Sequence, residues 1–324
     1  MEMKFENLIK ESKHILIISH VNPDGDTLGS MCAMYNAILK RYKKTAEMLV
    51  PSHIPQIYNF IPAISNAKMI ADFDKSREYD LVITVDVAAL DRILDAQILF
   101  SKARHTINID HHQTNIGFGE VNFVEPFASS TGEVIFKLFE RMNWEINKDT
   151  ADALYTSILT DTGGFRFENT TSDALEVASK LVKLGVVPKE IYNSCYESKT
   201  RAVVMFQNYV VANAQFTEDG KIAYSFVSKK DLERFKVKDS STDGIPEVLR
   251  SIVTTEVSFV LKEIDTKMCK ASMRSKHIDV SKVCEDFGGG GHKFAAGCTI
   301  KYPLKEAAKK LIQEIEKVSN DASN

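Results

Sequence analysis

The stretch Ile15-Leu-Ile-Ile-Ser-His20-Val-Asn-Pro-Asp24-Gly-Asp26-Thr-Leu28 decides how this chain folds. Its unbroken apolar run, too short for a helix, reads as a strand buried on both faces, the mark of a parallel sheet. Pro23 and Gly25 force a sharp turn straight after it. Leu28, Met31, Cys32, Tyr35, Ile38 and Leu39 then recur at helical spacing as far as Arg41. A strand, a tight polar loop and an amphipathic helix open a βαβ unit. The loop sets His20, Asp24 and Asp26 at the carboxyl end of a strand, where open α/β sheets bind ligands.

The same alternation continues. Ala46–Val50, Asp80–Val85 and Thr106–Ile109 read as further buried strands, and Thr131–Met142, Asp149–Asp161 and Ser172–Leu184 as helices. The fold class expected for residues 1–187 is α/β, a mostly parallel sheet with helices on both faces. Pro188 follows a helix that ends near Gly185 and opens a helical linker over residues 188–208, with Tyr192, Tyr196 and Phe206 available to pack. Tyr209–Phe216, Ile222–Val227, Val257–Ile264, Met268–Ser275 and Cys298–Lys301 then read as strands. With helices at Lys229–Phe235, Asp279–Phe287 and Leu304–Val318, they predict a smaller α+β domain over 209–324. The polar tail Ser319–Asn324 is expected to fray.

Bulk properties narrow the function. A chain of 324 residues suits two domains, and 44% apolar with 26% charged residues is ordinary for a globular protein. A net charge of −3 argues against a sleeve for long duplex nucleic acid, which calls for a positive face. A short anionic substrate is compatible if metal ions supply positive charge locally. The five cysteines (Cys32, Cys195, Cys269, Cys284, Cys298) form no C-x-x-C pair and read as reduced thiols, mostly in the core. The charged opening (Glu2, Lys4, Glu6, Lys10, Glu11) is neither a signal peptide nor a membrane span. The expectation is a cytoplasmic protein with no membrane partner.

Three more groups end apolar runs as the first does: Asp86 after Leu81–Val85, Asp110-His111-His112 after Ile107–Ile109, and Asp161 after the run from Leu154. Alternate spacing lets Asp24 and Asp26 reach different metals from one loop, with Gly25 removing a side chain that would crowd them. Asp86 could bridge two ions through its two oxygens, while His111 adds an imidazole and Asp161 a carboxylate. Taken singly, a carboxylate after a strand is more often a helix cap, and a lone histidine an ordinary core or surface residue. Four such clusters at element ends point instead to two divalent cations. Mixed nitrogen and oxygen donors suit Mn²⁺ first, with Mg²⁺, Co²⁺ or Fe²⁺ as alternatives. A pair of cations roughly 3.5–4 Å apart activates water and polarises phosphoryl oxygens, the equipment of a phosphoesterase.

A second signal is Phe287-Gly288-Gly-Gly-Gly291-His292-Lys-Phe-Ala-Ala-Gly297. Consecutive glycines leave backbone N–H groups uncovered for an anion. The segment after them reads as a short helix whose N-terminus would face the same anion. Upstream, Ser272-Met-Arg274-Ser275 carries an arginine able to grip a phosphate bidentately. A glycine run alone fits a flexible turn equally well; Arg274 and His292 tip the reading toward phosphate. The candidate substrate-binding set is therefore Arg274, Ser275, Gly289, Gly290, Gly291 and His292. In the first domain, Arg166 either touches a phosphate or base or pairs with Glu168 or Asp173. Phe165 and Phe167 suit a core or domain interface better than a base. Asp91-Arg92, Asn115 and Ser130 are candidates to support the site through hydrogen bonds.

The motifs Ser19-His20-Val-Asn-Pro-Asp24-Gly-Asp26, Val85-Asp86, Asp110-His111-His112 and Leu159-Thr-Asp161-Thr-Gly163 resemble those of the DHH phosphoesterase superfamily. The glycine–histidine loop with Arg274 is similar to that of the DHHA1 type of C-terminal domain, so the resemblance covers nearly the whole chain. It implies one metal at His20, Asp24 and Asp86, and a second at Asp26, Asp86, His111 and Asp161. His112 would lie on the substrate side, contacting phosphate or passing a proton, with Asp110 supporting it. Thr27 stands where a small Ala is common in relatives, a conservative change. The DHHA1 domain would bind the nucleotide part of the substrate, with the active site in the cleft between domains; a homodimer is compatible with the resemblance.

Family II inorganic pyrophosphatases carry a different second domain, and RecJ-type exonucleases are much longer. The compact chain resembles the short-oligonucleotide phosphodiesterases, including the bifunctional oligoribonuclease and pAp phosphatase group. That group implies hydrolysis of short oligoribonucleotides such as pApA to nucleoside monophosphates, and of pAp to AMP and phosphate. Two other readings stay open: a cyclic di-AMP phosphodiesterase, and a catalytically silent nucleotide-binding protein. The last is disfavoured because every metal-ligand position is filled.

Overall fold

A computed structural model describes residues 1–321, which divide into two units at Ser198 and Lys199. In the first unit six strands lie side by side: β1 (Ile15–Ile18), β2 (Glu47–Val50), β3 (Ala67–Met69), β4 (Leu81–Val85), β5 (His105–Asp110) and β6 (Val121–Val124). All pair in parallel, in the order β3-β2-β1-β4-β5-β6. The helices are α1 (Glu2–Glu11), α2 (Gly25–Tyr42), α3 (Gln97–Ser101), α4 (Thr131–Arg141), α5 (Lys148–Asp161), α6 (Ser172–Lys183) and α7 (Pro188–Tyr196). Successive strand residues face opposite sides, and both sides are covered. Ile15, Ile17, Leu81 and Ile83 enter a core shared with α2, α4 and α5, whereas Leu16, Ile18 and Val82 pack with Leu99 and Phe100 opposite. Two covered faces explain why these strands read as continuous apolar runs rather than alternating ones.

The strand order also places the site. From β1 the chain steps to β2 on one side, and β4 later docks on the other. The crevice at the carboxyl ends of β1 and β4 is therefore the topological switch point of the sheet. His20 and Asp86 follow those two strands. Asp24 caps α2, its Oδ1 accepting the N–H groups of Asp26 and Thr27 at 3.0 and 3.1 Å. Gly25, expected to keep the two aspartates from crowding, meets a different demand: a Cβ there would lie 2.4 Å from Thr160 Oγ1, so glycine lets α2 close on α5.

The second unit holds α8 (Arg201–Ala212), β7 (Gln215–Phe216), β8 (Ile222–Val227), α9 (Lys229–Phe235), α10 (Ile245–Arg250), β9 (Val257–Asp265), β10 (Met268–Ser275), α11 (Val280–Glu285), β11 (Gly290–His292), β12 (Ala295–Ile300) and α12 (Leu304–Asp321). Its mixed sheet runs β11-β12-β10-β9-β8-β7, with β8 and β9 parallel and the other neighbours antiparallel. Residues 188–208 hold all of α7, in the first unit, and most of α8, in the second.

Two expectations for this unit are corrected. The first half of the strand expected at Tyr209–Phe216 is the end of α8, because Phe206 and Val210, one helical turn apart, are both buried; only Gln215–Phe216 forms a strand. The helix expected after the glycines is a β-hairpin, β11 turning through Lys293-Phe294 into β12. The helix of this region precedes the glycines. Gly288, at φ +70°, ends it, with the Gly288 and Gly289 N–H groups bonded to the Glu285 and Cys284 carbonyls at 2.8 Å. α12 continues past Val318 to Asp321; the rest of the expected polar tail, 322–324, lies outside the described residues. All five cysteines are free and buried. No helix among the described residues is long and apolar enough to cross a membrane.

Candidate metal centre

Four strand or helix ends bring His20, Asp24, Asp26, Asp86, His111 and Asp161 together in the first unit. Three groups have their donor atoms within 4.8 Å of one another: the triads His20–Asp24–Asp86 and Asp26–His111–Asp161, which share no residue, and Asp86–His111–His112, which spans both. Asp86 stands between the two triads. Its Oδ2 lies 3.2 Å from His20 Nε2, and its Oδ1 lies 3.7 Å from His111 Nε2. Asp86 also has φ +59°, a left-handed conformation that costs a non-glycine residue roughly 1–3 kcal/mol and is typical of functional sites. Its N–H, bonded to the Ile109 carbonyl at 2.9 Å, holds the turn.

Both histidines are oriented through their other nitrogen. His20 Nδ1–H donates to the Val21 carbonyl at 2.8 Å, and His111 Nδ1–H to the Ala128 carbonyl at 3.2 Å. The proton on Nδ1 leaves Nε2 as the lone-pair nitrogen of each neutral ring, and Nε2 is the atom that faces the carboxylates. His111 Nε2 lies 3.5 Å from Asp26 Oδ2 and 3.6 Å from Asp161 Oδ2. His112 differs. Its Nδ1 is 3.6 Å from Asp86 Oδ1 but only 2.7 Å from Asp110 Oδ1, so its proton is held by Asp110.

Asp26, buried, accepts from the Thr131 N–H (2.9 Å, Oδ2), Ser157 Oγ (2.5 Å, Oδ1) and Ser30 Oγ (3.1 Å, Oδ1). Thr131 Oγ1 also donates to Asp86 Oδ1 at 3.1 Å. The first turn of α4 thus points its positive end at Asp26, while its Thr131 hydroxyl reaches Asp86. Asn169 Nδ2 ties the Asp161 carboxylate (3.3 Å) to the Ser129 carbonyl (2.9 Å). Sequence reasoning missed Thr131, Ser157, Ser30 and Asn169. Thr131 alone had a signal, lying beside Ser130 at a helix start. Ser130 itself caps α4, accepting from Glu133 N–H.

Protonation is distorted throughout. Burial would lower His20, but the hydrogen bond and charge of Asp86, with Asp24, raise it to about 9. His111 is likewise raised to about 9 against burial, by Asp161, Asp26 and Asp86. Burial pushes the Asp161 carboxyl up to about 7, against the pull of His111 and with help from Asp24 and Asp86. Burial and the Asp86 charge hold Asp26 well above the usual carboxylate range. Asp86, despite its burial, is held below that range by His20 and the other two histidines. Protons here compensate crowded negative charge. The four aspartates of the two triads carry −4 when ionised, a charge that two divalent cations balance, and hard oxygen donors with two imidazoles suit such ions.

The supporting candidates divide. Asn115 Nδ2 donates to Asp110 Oδ2 at 2.6 Å and to the Val87 carbonyl at 3.0 Å. Arg92 acts through its backbone carbonyl, which accepts the Val21 N–H at 2.8 Å. Arg166 makes neither expected ion pair: its Nε–H donates to the Gly163 carbonyl at 2.8 Å, and Asp173 pairs with Lys137. Phe165 packs on Tyr155 at the core, while the Phe167 ring covers Gly163.

In the second unit, Arg274 stands opposite Ala295, and Ala295 opposite His292, in adjacent antiparallel registers. Directly opposed residues share a sheet face, so Arg274 and His292 lie on one face, two strands apart. Arg274 Nε–H donates to Glu247 Oε1 at 2.7 Å, and another guanidinium N–H to the Met273 carbonyl at 2.8 Å. Ser275 is buried, its hydroxyl donating to the Ile278 carbonyl. Close packing fixes two of the glycines: a Cβ at Gly289 would lie 2.3 Å from the Gly297 carbonyl oxygen, and one at Gly291 2.6 Å from that of Ala295. Gly290 has open space around it.

Known proteins match along the same two units. Residues 14–158 match the DHH family, N-terminal domain, and residues 219–321 match the DHHA1 domain. A Bacillus subtilis protein named bifunctional oligoribonuclease and PAP phosphatase NrnA is 28% identical over 90% of this chain and 91% of its own. A Streptococcus mutans protein named as a probable enzyme of that kind is 30% identical, over 92% and 93% respectively. Among solved structures, an exopolyphosphatase-related protein from Bacteroides fragilis superposes with a TM-score of 0.93 at 28% identity, covering 100% of this chain and 97% of that one.

Proposed function

This chain belongs to the DHH family of phosphate-ester hydrolases, and from that premise we propose that it cleaves short oligoribonucleotides such as pApA to nucleoside monophosphates and pAp to AMP and phosphate. The observation that carries the reading is Asp86, whose two oxygens face the histidines of two separate triads. In this proposal His20, Asp24 and Asp86 hold one Mn²⁺, and Asp26, Asp86, His111 and Asp161 hold the other. The bound pair would supply an activated water and neutralise charge on the phosphoryl oxygens.

The protein's own groups do the rest. Asp110 keeps the His112 Nδ1 proton and stabilises the charged ring, so Nε2 is the atom that gives a proton to a phosphoryl oxygen or to the leaving oxygen. Burial would lower the His112 imidazole, but Asp110 and Asp86 raise it above its ordinary value, which suits a proton donor. In the second unit, Arg274 and His292 hold a terminal phosphate, with Ser275 shaping the strand end, Gly289 and Gly291 letting the glycine segment pack on β12, and Gly290 leaving space open for the ligand. A net charge of −3 argues against a protein built around a long phosphate backbone, which favours short substrates.

The test is release of AMP and phosphate, with Mn²⁺, from pApA, pAp, cyclic di-AMP and a long single-stranded RNA side by side. Fast turnover of pApA and pAp with slow turnover of long RNA is the expected result. Preferred cleavage of cyclic di-AMP would replace it with a signalling phosphodiesterase. Binding of AMP without turnover of any substrate would leave a silent nucleotide-binding protein.

A further inference from the structure

Beside the metal cluster the first unit keeps a cavity of about 160 Å³, lined by Asp24, Tyr58, Thr160, Asp161, Cys195 and Tyr196. Asp24 belongs to one triad and Asp161 to the other, so the cavity adjoins both halves of the cluster. The wall away from the carboxylates is largely aromatic. Tyr58 ends the short helical turn Gln56–Tyr58, and Tyr196 ends α7. Both are half-buried, packed on the main core of the unit. Tyr196 donates its hydroxyl to the Leu159 carbonyl at 3.3 Å, and the Tyr192 ring backs it at 4.9 Å.

The lining decides what fits. Its two carboxylates, Asp24 and Asp161, are metal ligands in the reading above, and the rest of the lining offers no cationic side chain to grip a second phosphate. Phenols, a thiol and a threonine instead suit a neutral, flat group. Pockets for drug-sized ligands run to roughly 300–1,000 Å³, so this smaller space takes a single ring system rather than a whole dinucleotide. Aromatic side chains beside a phosphate site are the usual platform for a base.

We propose that this cavity seats the nucleobase of one of the two nucleotides flanking the scissile phosphate, with Tyr58 and Tyr196 as the residues that select for a base. The proposal rests on the phosphodiesterase reading above. It predicts that the first unit contributes to substrate choice, separately from Arg274 and His292.

The experiment compares kcat/KM for pApA with two abasic analogues, one lacking the 5′ base and one lacking the 3′ base, in the Mn²⁺-loaded full chain. Wild-type protein should prefer pApA over one analogue by roughly tenfold or more, the size of a base–aromatic stack. In Tyr58→Leu and Tyr196→Leu that preference should collapse toward one, with Mn²⁺ stoichiometry unchanged. Should those variants fail to fold, Cys195→Met, which fills the cavity from its wall, should lower the same preference. A wild-type preference retained in every folded variant, or no wild-type preference at either position, would overturn the proposal. A wild-type protein that turns over none of the three substrates would instead strike the phosphodiesterase reading itself.

Discussion

Nδ1 of His112 lies 2.7 Å from Oδ1 of Asp110, and the other oxygen of that buried carboxylate accepts from Asn115 Nδ2 at 2.6 Å. The chain from Asn115 through Asp110 to His112 fixes the ring and favours its charged form. Asp110→Asn would remove the negative charge and turn an amide N–H toward Nδ1, forcing the proton onto Nε2 of a neutral ring. Turnover should fall about 10- to 100-fold, the usual cost of losing such an orienting partner. Steady-state kinetics beside metal analysis check this, since Mn²⁺ content should not change. Loss of metal in Asp110→Asn would make Asp110 part of the metal site rather than a support for His112.

Ser157 offers a second test, because its hydroxyl joins two helices to one ligand. Its Oγ donates to Asp26 Oδ1 at 2.5 Å while accepting the Gly132 N–H at 2.9 Å. Ser157→Ala leaves Asp26 short of a donor and Gly132 with only its longer 3.3 Å contact to Asp26. Removing one partner from a buried polar group costs about 1–3 kcal/mol. Urea unfolding should show a loss of that size, and Mn²⁺ titration roughly tenfold weaker binding. Unchanged metal affinity in a destabilised variant would confine Ser157 to folding.

That pairing also marks where the sequence stops being legible. His20, Asp86 and His111 follow or end strands, Asp24 and Asp26 sit on the loop after the first of them, and Asp161 ends a helix; a parallel sheet gathers its strand ends along one edge, so most of the cluster could be read from local pattern. Ser157 sits mid-helix, 131 positions from Asp26, and no local pattern signals that contact. The helix expected after the glycine run failed for a related reason. Glycine suits an anion cradle, a helix terminus and tight strand pairing alike, and only the fold reveals that Gly288 and Gly289 cap α11 while Gly291 pairs in a hairpin. The end of α8 was misread because Tyr209–Phe216 is rich in β-formers, whereas burial of Phe206 and Val210 follows the helical period.

Protonation of the metal-free cluster predicts how metal binding responds to pH. His20 and His111 are raised to about 9 and Asp161 to about 7, so near neutrality the site holds protons that a cation must displace. Apparent Mn²⁺ affinity should therefore rise with pH up to about 9, where the imidazoles lose their competing protons, and fall faster below about 7 as Asp161 also protonates. Calorimetry at pH 7 in two buffers of different ionisation enthalpy should detect proton release on binding. Identical heats in both buffers would count against the protonation scheme.

Arg274 separates substrate binding from metal binding. Glu247 and the Met273 carbonyl engage part of its guanidinium, and the same sheet face carries His292. A charge-assisted contact to phosphate contributes about 1.5–3 kcal/mol, so Arg274→Ala should raise KM for pApA roughly 10- to 100-fold. The kcat and the Mn²⁺ stoichiometry should stay near wild type. An equal loss in kcat and kcat/KM, with KM unmoved, would place Arg274 in the chemical step instead.

The approach of α2 to α5 sets the last test, because it couples packing to the ligands at both helix ends. A Cβ on Gly25 would lie 2.4 Å from Thr160 Oγ1 and 2.5 Å from Thr160 Cγ2. Thr160 precedes Asp161, and Gly25 lies between Asp24 and Asp26. Gly25→Ala must therefore push apart two segments that each carry a ligand. Overpacking of this kind costs about 1–3 kcal/mol, and here it should also weaken Mn²⁺ binding. Replacing Thr160 by Ala removes the two nearest atoms and leaves its Cβ at 2.8 Å, so the double variant Gly25→Ala, Thr160→Ala should recover part of the metal affinity lost in the first. A double-mutant cycle on Mn²⁺ binding measures that recovery. Strictly additive losses would mean that the two residues do not meet, and that the glycine serves its own loop rather than the closure of α2 on α5.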